Sequence, residues 1–218
     1  MDRKFRLPRV WSNRQLRTLG SLFRGDVVNV SGWRDEDKQG GTYRNYFPAA
    51  SSYTITNFGG FRGFQGQKGE ILLDLEKPLP KELLEAFDVV FNHTTLEHIF
   101  DVKTAFSNLC AMSRDAVIVV VPFIQTQHES DDYKDYWRFT PSCLQALFNA
   151  NGFDVVYQAV NNHFHAGIYV VAVASKHPEK WCEKLTMIPL SEAGWITGST
   201  LPEVIKRLFL KKYKENRS

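Results

Sequence analysis

Short β-branched, apolar runs alternate with amphipathic stretches along most of this chain, and the alternation lays out an α/β plan. Val27-Val28-Asn29-Val30, Tyr53-Thr54-Ile55-Thr56, Ile71-Leu72-Leu73-Asp74-Leu75 and Phe87-Asp88-Val89-Val90-Phe91 read as four strands. Ala116 to Val121 is a β-branched run stopped by Pro122, the mark of a central strand covered on both faces. Phe153 to Val160 and Ile168 to Ala174 complete the set. Val102, Ala105, Phe106 and Leu109 recur at helical spacing, predicting a helix from Val102 to Ser113 with Asp101 at its cap. Thr140-Pro141 opens a second helix that buries Leu144, Leu147 and Phe148 and closes at Gly152. Ser12 or Asn13 is placed to cap an earlier helix running through Leu16, Leu19 and Phe23. Shorter helical pieces are predicted near Tyr43 to Tyr46 and over Lys81 to Ala86.

Strands alternating with helices predict a mostly parallel, Rossmann-like sheet of seven strands with helices on both faces. The last two strands are joined only by Asn161 to Gly167, too short for a crossover helix, so the final strand should run antiparallel. Residues 58–69 hold five glycines and read as a loop. The chain divides into a basic N-terminal arm and helix (1–24), an α/β domain (25–175) and a C-terminal extension (176–218). Within the extension Val204, Ile205, Leu208, Phe209 and Tyr213 make one apolar stripe. That stripe fits a helix docked on the body, one lying on an anionic membrane as a peripheral contact, or one binding a partner.

At 218 residues the chain is long enough for one self-sufficient core. Cys110, Cys143 and Cys182 lie far apart, which excludes a disulfide framework and a structural zinc site of the C-x-x-C type. No signal peptide or transmembrane run is evident, and a cytoplasmic setting is the simplest reading. The formal charge of +3 is uneven. Residues 1–24 carry seven basic groups against Asp2, and residues 203–217 six against Glu203 and Glu215. Basic ends on an acidic body suit an anionic partner or are solvated helix flanks. A nucleic-acid partner is the weaker reading beside a small-molecule substrate.

In open α/β sheets ligands bind beyond the carboxyl ends of the strands. Those ends offer Ser31-Gly32, Asn57, Asp74-Leu75 and the stretch Asn92 to His98. Asp74 is either a ribose or amine acceptor or a strand-end cap, and Glu97 meets either a cationic ligand group or a loop arginine. His93 and His98 lack metal-ligand spacing, so no metal is expected. The loop from His128 to Phe139 mixes an imidazole, carboxylates, rings and a guanidinium. It reads as a substrate clamp with His128 as general base, or as a loop pinned by Tyr136, Trp137 and Phe139 with Arg138 bonding carbonyls.

Phe87 to Phe91, Leu96-Glu97-His98-Ile99, Asp101, Val117 to Pro122, Asp135-Tyr136-Trp137-Arg138-Phe139-Thr140-Pro141 and Asn151-Gly152-Phe153 stand in an order that resembles the small class I S-adenosylmethionine-dependent methyltransferases. The resemblance spans about residues 26–175. It implies S-adenosyl-L-methionine as cofactor and methyl transfer to a small polar or sugar-type acceptor, such as a glycan precursor. It places Asn29, Ser31, Gly32 and Trp33 at the methionine part of the cofactor, Asn57 at the ribose, and Asp74 and Leu75 beside adenine. Asn92, Thr94 and Glu97 border the transfer centre, and Asp135, Tyr136, Trp137 and Arg138 form the substrate loop. The family usually shows an acidic residue before a Gly-x-Gly loop, where this chain has Asn29-Val30-Ser31-Gly32-Trp33. The usual ribose carboxylate is here the neutral Asn57. These departures make a catalytically inactive binding or scaffold protein the alternative.

Overall fold

The computed structural model describes residues 7–60, 63–161 and 169–185. Seven strands form one sheet: β1 (Gly25–Val30), β2 (Ala50–Asn57), β3 (Glu70–Leu72), β4 (Phe87–His93), β5 (Ser113–Pro122), β6 (Asp154–Val160) and β7 (Tyr169–Ser175). Their spatial order is β3-β2-β1-β4-β5-β7-β6. The first five strands pair in parallel, while β7 runs antiparallel to both β5 and β6. The short connection therefore dictates the direction of the last strand, as expected. From β1 the chain first builds outward through β2 and β3, then returns to add β4 on the other side. That reversal leaves a crevice at the carboxyl edge between β1 and β4.

β5 is central because its run from Ala116 to Pro122 has no side chain polar enough to face water, and all seven of these residues are buried. Alternate residues of each strand feed two separate cores. Val28, Val90, Val117, Val119 and Val121 face α2 (Val102–Met112) and α3 (Pro141–Ala150). Val27, Val89, Phe91, Ile118 and Val120 face α1 (Leu7–Gly20). Asp101 caps α2 by accepting the Thr104 amide at 3.2 Å, and Thr140 caps α3 by accepting that of Cys143 at 3.1 Å. Gly152 takes φ +76° where the chain leaves α3, a left-handed turn that a side chain resists.

Two expectations need correction. α1 is already helical from Leu7, so Ser12 and Asn13 lie inside it and neither caps it. Both are buried and spent on tertiary bonds: Ser12 Oγ meets His93 Nε2 at 3.1 Å, and Asn13 Nδ2 donates to Asp37 O at 2.9 Å. The third strand ends at Leu72, short of Asp74-Leu75. The β1–β2 crossover contains one 3₁₀ turn, Tyr43–Tyr46, in place of a full helix. Tyr43, Tyr46 and Phe47 then cover the sheet beside Leu16, Leu19 and Phe23. Burial of each of these apolar side chains contributes about 2 kcal/mol. No helix among the described residues is long and apolar enough to cross a membrane.

Candidate functional site at the carboxyl edge

The loop leaving β1 is held by its own acids. Asp35 is buried and accepts from Asn29 Nδ2 (2.7 Å), Tyr53 Oη (2.6 Å) and the Arg44 amide (2.9 Å). Asp37, also buried, accepts from Tyr46 Oη (2.7 Å) and from the amides of Gln39 (2.7 Å) and Gly41 (2.9 Å). Burial pushes the Asp37 carboxyl up, but these bonds and the charge of Arg17 outweigh it and hold it below its ordinary value. Ser31, Trp33 and Asp35 all have positive φ (58°, 48° and 61°), a coil that non-glycine residues adopt only when held. Gly32 packs against Asn29, and a Cβ there would come within 2.5 Å of Asn29 Nδ2.

Asn57, at the end of β2, is engaged on both sides of its carboxamide. Its Oδ1 accepts the Trp33 amide at 2.6 Å, while its Nδ2 donates to Trp33 O at 3.0 Å and to Glu70 Oε1 at 2.5 Å. This two-way bridge ties the β1 loop to β2. Asp74 caps a turn, accepting the Glu76 amide at 2.9 Å, and Leu75 is buried in the α2–α3 core. Sequence reasoning missed Asp35, whose partners are up to 18 residues away and carry no local pattern.

At the end of β4 two polar side chains, Asn92 and His93, are buried. Asn92 Nδ2 donates to Val30 O at 2.9 Å, and its Oδ1 has no hydrogen-bond partner. His93 lies 2.6 Å from Arg9 Nη1 through Nδ1. The permanently charged guanidinium makes that nitrogen an acceptor, so His93 is neutral. Burial, with the Arg9 charge behind it, drives His93 well below its ordinary value. Arg9 also donates to Tyr43 Oη and to Thr94 Oγ1, each at 3.1 Å. None of its hydrogen-bond partners among the described residues is a carboxylate. Thr94 sits at φ +50°.

Glu97 lies in the 3₁₀ turn Leu96–His98 and is only 1 % exposed. Its Oε2 has no partner, and burial pushes the carboxyl up to about 8. Of the two readings of Glu97, pairing with a loop arginine is not seen among the described residues. Arg138 instead forms a fork with Asp135, both bonds 2.6 Å, and donates to the carbonyls of Gln125 (2.9 Å) and Thr126 (3.1 Å). Burial pushes Asp135 up, but the Arg138 fork outweighs it and the carboxyl falls to about 2. Trp137 Nε1 donates to Ile99 O at 2.9 Å, and Tyr136 packs edge-on to Phe100. The loop is thus pinned by its arginine and rings. His128 projects from it with Nδ1 3.0 Å from Asp135 Oδ2. A cleft of about 620 Å³ opens beside Phe100, Val102, Trp137, Phe139 and Leu147, and its lining is largely apolar.

No protein-family model matches the sequence, and neither does any curated protein. Solved structures do match. The Burkholderia thailandensis 1,6-didemethyltoxoflavin-N1-methyltransferase, seen with bound 1,6-didemethyltoxoflavin and S-adenosylhomocysteine, superposes with a TM-score of 0.53 at 17 % identity over 77 % of this chain and 80 % of its own. The CMeT domain of the citrinin polyketide synthase gives 0.56 at 9 % identity, over 70 % of this chain and 46 % of that one. The mitomycin 7-O-methyltransferase gives 0.51 at 12 % identity, over 76 % and 54 %. At these identities the likeness is one of fold, and with the strand order and the antiparallel β7 it establishes that this chain has the class I methyltransferase-like Rossmann fold.

Proposed function

We propose that this chain is an S-adenosylmethionine-dependent methyltransferase acting on a small polar or sugar-type acceptor. The observation that carries the reading is the buried polar cluster at the β1–β4 switch point. Asn92 Oδ1 is buried without a partner, and Arg9 is a largely buried cation with no carboxylate among its hydrogen-bond partners in the described residues. Unpaired buried acceptors and cations cost stability, and a zwitterionic amino-acid group offsets both costs. The residues therefore fit the methionine end of the cofactor, with Arg9 taking its carboxylate and Asn92 accepting from its ammonium. When bound, the cofactor supplies an electrophilic methyl group.

This chain's own part is alignment and the exclusion of water. The Asp135–Arg138 fork and Trp137 hold the loop over the strand ends, and His128 presents its ring beside Asp135 to accept the proton of a hydroxyl acceptor. The sugar-type acceptor rests on the sequence resemblance. The cleft by Phe100 and Trp137 suits an acceptor that carries a ring or alkyl portion beside its polar group.

One observation supports the catalytically inactive alternative. Asn57, at the ribose position, is consumed by Trp33 and Glu70, so a ribose has to displace an existing bridge. Calorimetric titration of the chain with S-adenosylmethionine and S-adenosylhomocysteine separates the two. Saturable one-to-one binding at micromolar strength supports the enzyme. Absence of binding up to millimolar ligand, confirmed by a second method, refutes the cofactor assignment.

A further inference from the structure

Two loops at the carboxyl edge, one after β4 and one after β5, bring Glu97, His98 and His128 together. One ligand-type atom of each lies within 4.8 Å of the others. Glu97 Oε1 stands 3.8 Å from His98 Nε2, and the two imidazole rings meet edge-on at 5.1 Å. The far side of His98 is already occupied. Its Nδ1 lies 2.6 Å from the carbonyl oxygen of Lys134, so it carries the proton and donates, which leaves Nε2 as the lone pair facing Glu97. His128 Nδ1 lies 3.0 Å from Asp135 Oδ2 without the alignment of a hydrogen bond, its backbone amide donates to the same oxygen at 2.7 Å, and Asp135 is in turn locked by the Arg138 fork. Tyr133 packs edge-on against both rings, at 4.7 and 6.3 Å. The carbonyl bonded behind His98 is an outer partner of the kind that orients a histidine toward a metal ion, and a carboxylate stands close beside His128.

The independent observation is Glu97 itself. It is buried, its Oε2 has no hydrogen-bond partner, and among the described residues its one ion-pair contact is His98. A buried acceptor in that state destabilises the fold, a cost that a cation at the same point would remove. The donor set also selects the cation. Two imidazoles and one carboxylate suit zinc, iron, cobalt or nickel, whereas magnesium and calcium take oxygen ligands. Bonds of about 2.0–2.2 Å put neighbouring ligand atoms roughly 3.3 Å apart, so the 3.8 Å pair is nearly in place. All three ligand atoms lie within 4.8 Å of one another, so the ion has to draw the wider pairs inward.

We propose that Glu97, His98 and His128 form a binding site for a divalent first-row transition-metal ion, with at least one coordination position left open to water or an oxygen-bearing ligand. Three protein ligands in place of four are the pattern of a reactive site and not a purely structural one. No segment of the sequence has ligand spacing, because the set is split between positions 97–98 and 128. The ion's binding does not depend on the methyltransferase reading. Where both hold, His128 is a ligand and not a free base, and the ion sets the acidity of a bound hydroxyl.

The test uses the full chain, stripped with a chelator and titrated with Co²⁺ followed by visible absorption and with Zn²⁺ followed by calorimetry, S-adenosylmethionine being absent throughout. One ion per chain is expected, with Mg²⁺ failing to compete. Glu97→Gln and His128→Asn should each weaken binding at least tenfold, and His177→Asn should leave it unchanged. Asp135→Asn, acting through His128, should weaken it by a smaller factor. His128 lies on a half-exposed loop, so His128→Asn keeps its fold, which a thermal melt without metal verifies. Lack of saturable Co²⁺ and Zn²⁺ binding by the wild-type chain, or undiminished affinity in folded His128→Asn, overturns the proposal. Because no cofactor is present, failure of the methyltransferase reading leaves this result unaffected.

Discussion

Replacing Asp35 tests whether the β1 loop is held from within. Asp35→Ala leaves Asn29 Nδ2 and Tyr53 Oη without their acceptor, and both groups are buried or nearly so. The third donor, the Arg44 amide, belongs to an exposed residue and recovers a bond from water. Two orphaned donors at about 1.5 kcal/mol each give about 3 kcal/mol. Alanine at φ +61° adds about 1 kcal/mol of backbone strain, for a total near 4 kcal/mol. Asp35→Asn behaves differently. Asparagine tolerates the left-handed conformation and its oxygen still serves Asn29 and Tyr53, but its amino group faces the Arg44 amide, donor against donor. That variant should lose only about 1.5 kcal/mol. Urea unfolding at pH 7, followed by tryptophan fluorescence, reads both losses as shifts in midpoint at constant slope. A loss below about 1 kcal/mol for Asp35→Ala, or equal losses for the two variants, refutes this account of the loop.

Asn57→Asp sets a carboxylate against Glu70 Oε1, which Asn57 Nδ2 now meets at 2.5 Å, and should cost about 1–2 kcal/mol at pH 7. Adding Glu70→Gln should restore most of that loss in the same unfolding assay. Asp37 has a folded-state value below its unfolded one, so its stabilisation is present above about pH 4 and is lost as the pH falls through the folded value. Asp37→Asn should therefore flatten the acid limb of a stability–pH profile below about pH 4. Phe106→Ala empties a fully buried site whose ring meets Phe148 edge-on at 4.7 Å and should cost about 3–5 kcal/mol by denaturant titration. Arg114→Ala breaks ion pairs to Asp26 and Asp88 that are about 40 % exposed, and should change stability by less than about 1 kcal/mol.

The strand set, the antiparallel β7 and the caps of α2 and α3 were legible in the sequence. Each depends on residues within one element or one short connection: the all-apolar run of β5, the eight residues between β6 and β7, the Thr140-Pro141 pair. Burial on both faces demands such runs wherever a strand is central, so composition alone reveals them. The pinned reading of the loop from His128 to Phe139 was likewise available from its rings and arginine.

What only the tertiary structure decided depends on partners far apart in sequence. Ser12 and Asn13 have the chemistry of caps, but His93 and Asp37 claim them, and the helix starts earlier. Asn57 has the chemistry of a ribose acceptor, but Trp33, 24 residues back, occupies it. Asp74 sits past the end of β3 in a turn of its own. Glu97 and His98 meet His128 only because β4 and β5 are neighbours in the sheet and their following loops share one edge. Hydrophobic period is a local property of the chain, whereas the partner of a buried polar atom is fixed by packing, so the sequence determined the scaffold and the tertiary structure decided which side chains remain available to a ligand.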